Sequence, residues 1–291
     1  MMKKPVHMKL GMKLLLLFCL IGLGLVFATA VLMFVSDKQL MTIITVQDVM
    51  VFIVPAVVAI ALIYRQPWKN LALDRGPSFK ALLVILAFYV VSIPAMNWLV
   101  SANEAMSLPD WMGGVEKWMR AMEDSAADTT ARILDIHTIG ELLVCLLVVG
   151  LMAGLSEEIF FRGALTRIMQ DSRLGKHAIV WIVAIVFSAF HLQFYGFFPR
   201  MVLGLWLGYL LLWTGSLWVP IIAHTLNNST VVLFSYLEGK GIVPADYGDT
   251  IGIPADGAFP WLAFVSLIAS IAVALWASRF LTPKGESLSL R

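Results

Sequence analysis

The chain alternates long apolar runs with short polar connections. Eight runs stand out, at about 12–35, 45–64, 79–101, 138–161, 177–195, 200–214, 218–236 and 259–280. A helix rising 1.5 Å per residue needs roughly 20 apolar residues to cross about 30 Å of hydrocarbon, and most of these runs approach that length. In lipid every backbone N–H and C=O must be satisfied internally, which separate apolar runs achieve only as helices. The pattern predicts an all-α, polytopic integral membrane protein with about eight transmembrane helices. No repeat or low-complexity tract interrupts it, so residues 1–291 read as a single membrane domain.

Composition agrees. The chain is 60% hydrophobic and 14% charged, whereas soluble domains are about 45–50% apolar and about 25% charged. Cys19 and Cys145 each lie in an apolar run and form no metal or disulfide motif. The net charge of +2 gives no reason to expect nucleic acid as a partner; the lipid bilayer is the expected environment. Lys3, Lys4, Lys9 and Lys13 before an apolar run, with Ala28-Thr29-Ala30, look like a signal peptide. The run continues through Val35, long enough to span, so an uncleaved first helix is expected.

Charge placement orients the spans. The N-terminal arm, the connection with Arg65, Lys69, Arg75 and Lys80, the connection with Arg167, Arg173 and Lys176, and the tail with Arg279, Lys284 and Arg291 are basic. Intervening connections are poorer in basic residues or acidic: Glu104, Asp110, Glu116, Glu123, Asp124, Asp128 and Asp135 in one, Glu238, Asp246, Asp249 and Asp256 in another. With eight spans all basic connections fall on one side, so both termini are expected in the cytoplasm, and a bacterial inner membrane is the expected location. Within 102–137, Trp111, Val115, Trp118, Met119 and Met122 recur at helical spacing. That fits an interfacial amphipathic helix or a plain polar loop with a few apolar contacts. Gly204 and Gly208 form a small-xxx-small pair suited to close helix packing.

The chemistry lies where the apolar runs are broken. Leu142 to Leu155 is almost pure hydrocarbon, yet Glu157, Glu158 and Arg162 come directly after it. Charge inside a membrane costs several kcal/mol unless paired or used. Glu158 and Arg162, four apart, share a helix face and can neutralise each other. Glu157 points about 100° away and lacks an intrahelical partner, which makes it the candidate for proton chemistry; a structural ion-pair cluster is the plainer alternative. His191 comes one turn after Phe187, and Phe187 can shield it from water. Glu157 and His191 lie equally far from the connection centred near Leu174, so an antiparallel hairpin brings them to similar depth. His224 and Asn228, one turn apart, can both donate to a developing oxyanion, or serve as polar contacts between helices. His224 is only about six residues into its span, shallower than the other two. Either the hairpin protrudes, or the fifth and sixth spans are tilted or broken.

Glu157-Glu158-x-x-x-Arg162, Phe187-x-x-x-His191 and His224-x-x-x-Asn228, each on its own helix, together with Thr214 to His224, resemble the CPBP family. These are the CAAX-protease and bacteriocin-processing (Abi) intramembrane peptidases, which include the Ras-converting CAAX endopeptidase. The resemblance covers about residues 138–236, the catalytic-motif core. It implies an endopeptidase acting on a membrane-associated peptide or protein. Glu157 would activate water with His191 assisting, His224 and Asn228 would stabilise the oxyanion, and Glu158, Arg162 and Phe187 would support the site. No motif position is substituted. It leaves the metal question open. Glu157, His191 and His224 make a conceivable zinc set, but no His-Glu-x-x-His is present, and the expected cofactor is none. Two other readings compete: a non-enzymatic bacteriocin-immunity or partner-binding membrane protein, and a transporter. For the transporter, Asp48 near the start of the second span is the only further acidic candidate, expected at the interface. Substrate identity and oligomeric state are not legible.

Overall fold

The computed structural model describes residues 8–36, 39–245, 247–254 and 257–282. Lys3, Lys4, Asp246, Asp256, Lys284 and Arg291, which helped to orient the chain, lie outside them. The principal helices are α1 (Leu10–Leu32), α2 (Leu40–Tyr64), α3 (Phe79–Glu104), α4 (Gly113–Ile133), α5 (Ile139–Met169), α6 (Lys176–Phe190), α7 (Phe197–Thr214), α8 (Trp218–Gly239) and α9 (Trp261–Leu281). No strand occurs among the described residues. The protein is an all-α, polytopic integral membrane protein, as the pattern predicted.

Among the described residues, six helices are candidate spans, not the eight expected. Helices long and apolar enough to cross are Leu10–Leu32, Leu40–Tyr64, Phe79–Glu104, Ile139–Met169, Phe194–Thr214 and Trp261–Leu281. The expected fifth span is α6, of only 15 residues, about 22 Å of helix against about 30 Å of hydrocarbon. The expected seventh is α8, 22 residues long but diluted by His224, Thr225, Asn227, Asn228, Ser229 and Thr230. Both elements position site residues, and in α8 the polar groups that make it conspicuous also make it a poor lipid-crossing helix.

The outward surface is apolar, with Phe27, Leu86, Leu147 and Ile268 all more than half exposed, as a lipid-facing surface requires. Inside, Phe160, Phe161 and Phe187 are essentially sealed and pack edge to face. α7 packs closely on α6 where side chains are smallest. A Cβ on Gly204 would stand 3.2 Å from the Cα of Ala184, and one on Gly208 would stand 2.9 Å from Val180. This small-residue pair serves packing within the chain.

Two of the spanning helices are not regular. α2 widens into π-helical turns at Asp48–Ile53, and α5 does so at Leu146–Met152 and Ile159–Leu165. A π turn adds a residue to the turn, rotates the helix beyond it, and recurs at functional sites. The α2 turn carries the Met50 carbonyl against α1, where a Cβ on Gly24 would collide with that oxygen. Gly24→Ala is therefore expected to destabilise the protein by about 1–3 kcal/mol, read as a lower thermal midpoint in detergent. Gly22→Ala, with open space around it, should change little; equal behaviour of the two would refute the close approach.

The basic connections meet at one end of the bundle. Asp171, after α5, pairs with Lys13 of α1 and with Arg167 at 3.1 Å, and accepts a hydrogen bond from Tyr64 of α2 at 2.5 Å. Burial pushes the Asp171 carboxyl up, but hydrogen bonds from Lys13, Tyr64 and Arg167 outweigh it and hold the group below the ordinary aspartate range. Lys80, near the start of α3, lies over the ring of Phe280 at the end of α9. The 65–78 connection folds in at the same end. Leu217 N–H donates to the Ala72 carbonyl (2.8 Å), the Ser216 hydroxyl to Arg75 (2.6 Å), and the Trp218 indole to Leu73 (3.0 Å).

The 102–137 connection contains the amphipathic helix α4. It covers the turn between α6 and α7. Trp118 meets Phe194 at 5.2 Å, Arg120 lies 4.3 Å over Tyr195, and Glu123 accepts the Tyr195 N–H. The hydrogen bonds from Arg120 and from the Leu108 N–H hold the Glu116 carboxyl below its ordinary range.

Candidate active site

α5 delivers three of the expected residues. Arg162 and Glu158, one turn apart, are sealed from solvent and joined at 2.5 Å. The guanidinium also donates to the Gly204 carbonyl of α7 at 3.2 Å and stacks 4.3 Å over the ring of Phe187 from α6. A single arginine thus ties three helices together. Glu158 has a second partner that its position on α5 does not reveal: its Oε1 is 2.9 Å from His224 Nδ1 on α8. Glu157, turned away from this pair, has a buried Oε2 with no hydrogen-bond partner, 3.8 Å from His224 Nε2.

His191 caps α6. Its Nδ1 lies 2.9 Å from the Phe187 carbonyl. A carbonyl only accepts, so Nδ1 carries the proton and Nε2 keeps its lone pair in the neutral ring. Phe187 touches both histidines edge to face, at 5.1 Å to His191 and 5.9 Å to His224. His191 lies within electrostatic reach of Glu157, His224 and Arg200. Leu192, next in the chain, adopts φ +53°, a strained value for a branched side chain. That turn ends α6 at the histidine. Asn228 stands one turn beyond His224, its amide donating to the Val149 carbonyl of α5 at 3.3 Å. One amide hydrogen remains for another acceptor.

The depth problem resolves through the protruding hairpin. A Cβ on Gly163 would meet Leu217 at 3.4 Å, which sets those two residues level. Glu158 is five residues inward from Gly163 and His224 seven inward from Leu217, roughly 8 and 10 Å along their axes. Residues 164–175 therefore extend past the start of α8, beside the tucked 65–78 connection.

Asp48 is enclosed by the protein. It is 6% exposed, starts the π turn of α2, lies within hydrogen-bonding reach of Ser156, and feels the charge of Glu157. A lone acid at the edge of an apolar run carries no sign of which neighbour it meets. Gly150 and Gly154 also shape the site without standing out in the chain: a Cβ on either would collide with Ser229 or Thr225 of α8. Their four-residue spacing, matched by Thr225 and Ser229, is a readable signal that α5 and α8 pack backbone to backbone.

Among the described residues, no group of three or more His, Cys, Asp or Glu side chains is gathered closely enough to hold a metal ion. His224 directs Nδ1 at Glu158 and His191 directs Nδ1 at a carbonyl, which leaves Nε2 of each ring for another partner, an orientation that metal-ligating histidines also adopt. No chemical step is derived through a metal.

Fold and site together define a polytopic membrane protein with a charged, histidine-containing centre enclosed by its helices. Residues 139–230 match the family model described as type II CAAX prenyl endopeptidase Rce1-like, a model of the CPBP family. The match begins with α5 and runs through Asn228 of α8. No curated protein and no solved structure matches the chain.

Proposed function

We propose that the protein is an intramembrane endopeptidase that hydrolyses a peptide bond in a membrane-associated peptide or protein, with Glu157 as the base that activates water. The observation that carries this reading is the unpartnered, buried Oε2 of Glu157 facing His224 Nε2. A carboxylate oxygen held in the interior without a donor is ready to accept a proton from water. His191, with its Nε2 lone pair free, supplies a second acceptor on the same side. As water adds to the peptide carbonyl, negative charge moves to the carbonyl oxygen. The Asn228 amide donates to it, and His224 Nε2 does so when both ring nitrogens are protonated, with Glu158 holding Nδ1–H. Glu157 then passes the proton to the departing amine. Arg162 offsets the charge of Glu158 and anchors the frame.

A bacterial inner-membrane location with both termini in the cytoplasm is part of this proposal. It is supported by the gathering of Lys13, Arg167 and Lys80 at one end of the bundle. Comparing membrane and secreted peptides from cells with wild-type and Glu157→Gln protein should show fragments that disappear with the variant. Identical peptide sets would remove the reading. Purified protein is also expected to keep at least about half its activity in excess chelator, since its own side chains carry the chemistry. Loss of turnover in chelator, with recovery on adding zinc, would reverse that.

A further inference from the structure

A cavity of about 410 Å³ lies between α3, α7 and α8, outside the Glu157–His191–His224 cluster. Its size is that of a pocket for a small molecule or short peptide segment, roughly 300–1,000 Å³. Phe88, Met96, Leu203 and Trp206 make its wall apolar. Ala223 and Asn227 of α8 also line it, each next in sequence to a proposed oxyanion donor, and the Asn227 amide donates to Asn228 Oδ1 at 3.2 Å. The cavity and the site thus share one helix as a wall.

Two features choose the occupant. Polar groups run along the cavity, namely Ser92, Asn227, Thr230 and Ser235. The hydroxyls of Ser92, Thr230 and Ser235 donate to the carbonyls of Tyr89, Leu226 and Leu134, and their oxygens can still accept from peptide N–H groups, which a lipid tail does not carry. Glu238 and Asp249 also line it, and no ion pair reaches either among the described residues. The segment bearing Asp249 is fixed: Asn97 donates to the carbonyls of Gly248 (2.8 Å) and Ile251 (3.1 Å), and Gly252, at φ +96°, abuts Pro94. Two carboxylates beside an apolar chamber repel a phospholipid phosphate and attract a cation.

We propose that this cavity is an exosite for the substrate, receiving an apolar peptide segment whose basic residue is held by Glu238 and Asp249. The proposal rests on the peptidase reading. It gives that reading a substrate class: apolar peptides with a lysine or arginine displaced from the scissile bond.

The test uses full-length Glu157→Gln protein in nanodiscs. The probe is a synthetic Leu/Ala peptide with one photoreactive leucine and a terminal lysine; its twin carries norleucine in place of the lysine. The expected result is labelling of segments bearing Met96 or Val231, with the lysine peptide binding about tenfold more tightly than its twin. Glu238→Gln with Asp249→Asn should erase that difference and leave the neutral twin unchanged. Labelling confined to other segments, equal affinities, or a photoreactive phospholipid chain that stays in the cavity at saturating peptide would each overturn the exosite. Cavity labelling with the charge effect, alongside wild-type protein that cuts neither peptide, would remove the peptidase reading and leave the binding site standing. Cleavage without cavity labelling would do the reverse.

Discussion

Glu157→Ala is expected to lower turnover by about 10²–10⁴-fold, the range general bases contribute, while leaving the protein folded. The second half of that statement is as important as the first. Glu157 has one buried oxygen without a hydrogen bond, and His224 Nε2 is 3.8 Å from it. Its side chain keeps 17% of its surface exposed. Removing it strands no buried cation, because Arg162 is already paired with Glu158. Its loss should therefore fall on rate and not on stability. Glu157→Gln keeps the shape and removes the basic oxygen, so it should be as inactive as the alanine variant. Hydrolysis of a verified substrate, measured together with the thermal midpoint in detergent, separates the outcomes. A fully active variant would end the assignment of Glu157 as base. A variant that unfolds with equal loss would make the residue structural.

The sequence made the membrane class legible because apolar runs of spanning length have few other uses. It also marked which polar groups to watch, since Glu157, Glu158, Arg162, His191 and His224 interrupt those runs. Partnership across helices was not legible. Glu158 was readable as the partner of Arg162, because four residues on one helix fix a face. Its second contact, with His224, depends on α8 lying against α5, and that contact is 66 positions away in sequence. The neighbours of Asp48 were hidden for the same reason. The span count failed on different physics: runs were counted by apolar content, whereas α6 is too short and α8 too polar to cross unaided. The π turns left no trace, since a one-residue change of register within a uniformly apolar helix alters no pattern.

Arg162→Ala is expected to be the most damaging single change for stability. The side chain is fully enclosed and its partner Glu158 is equally sealed. Deleting the guanidinium leaves a buried carboxylate with only His224 beside it, and breaking a buried pair from one side costs about 3–5 kcal/mol. It also removes the donor to the Gly204 carbonyl and the contact over Phe187, so α5 loses its ties to α7 and α6 together. Arg162→Lys keeps a charge but not the planar fork that reaches Glu158 and Gly204 at once, and should recover only part of the loss. Arg162→Met with Glu158→Gln removes both charges at similar volume. It should restore much of the thermal midpoint, since the penalty arises from an orphaned charge and not from the absence of the pair. Activity should not return with it, because His224 Nδ1 would then face an amide in place of the carboxylate that orients the ring. Midpoints and turnover of the three variants decide the matter. If Arg162→Ala were as stable as wild type, the pair would not hold these helices, and if the double variant were fully active, the proposed route from Glu158 through His224 to the oxyanion would be wrong.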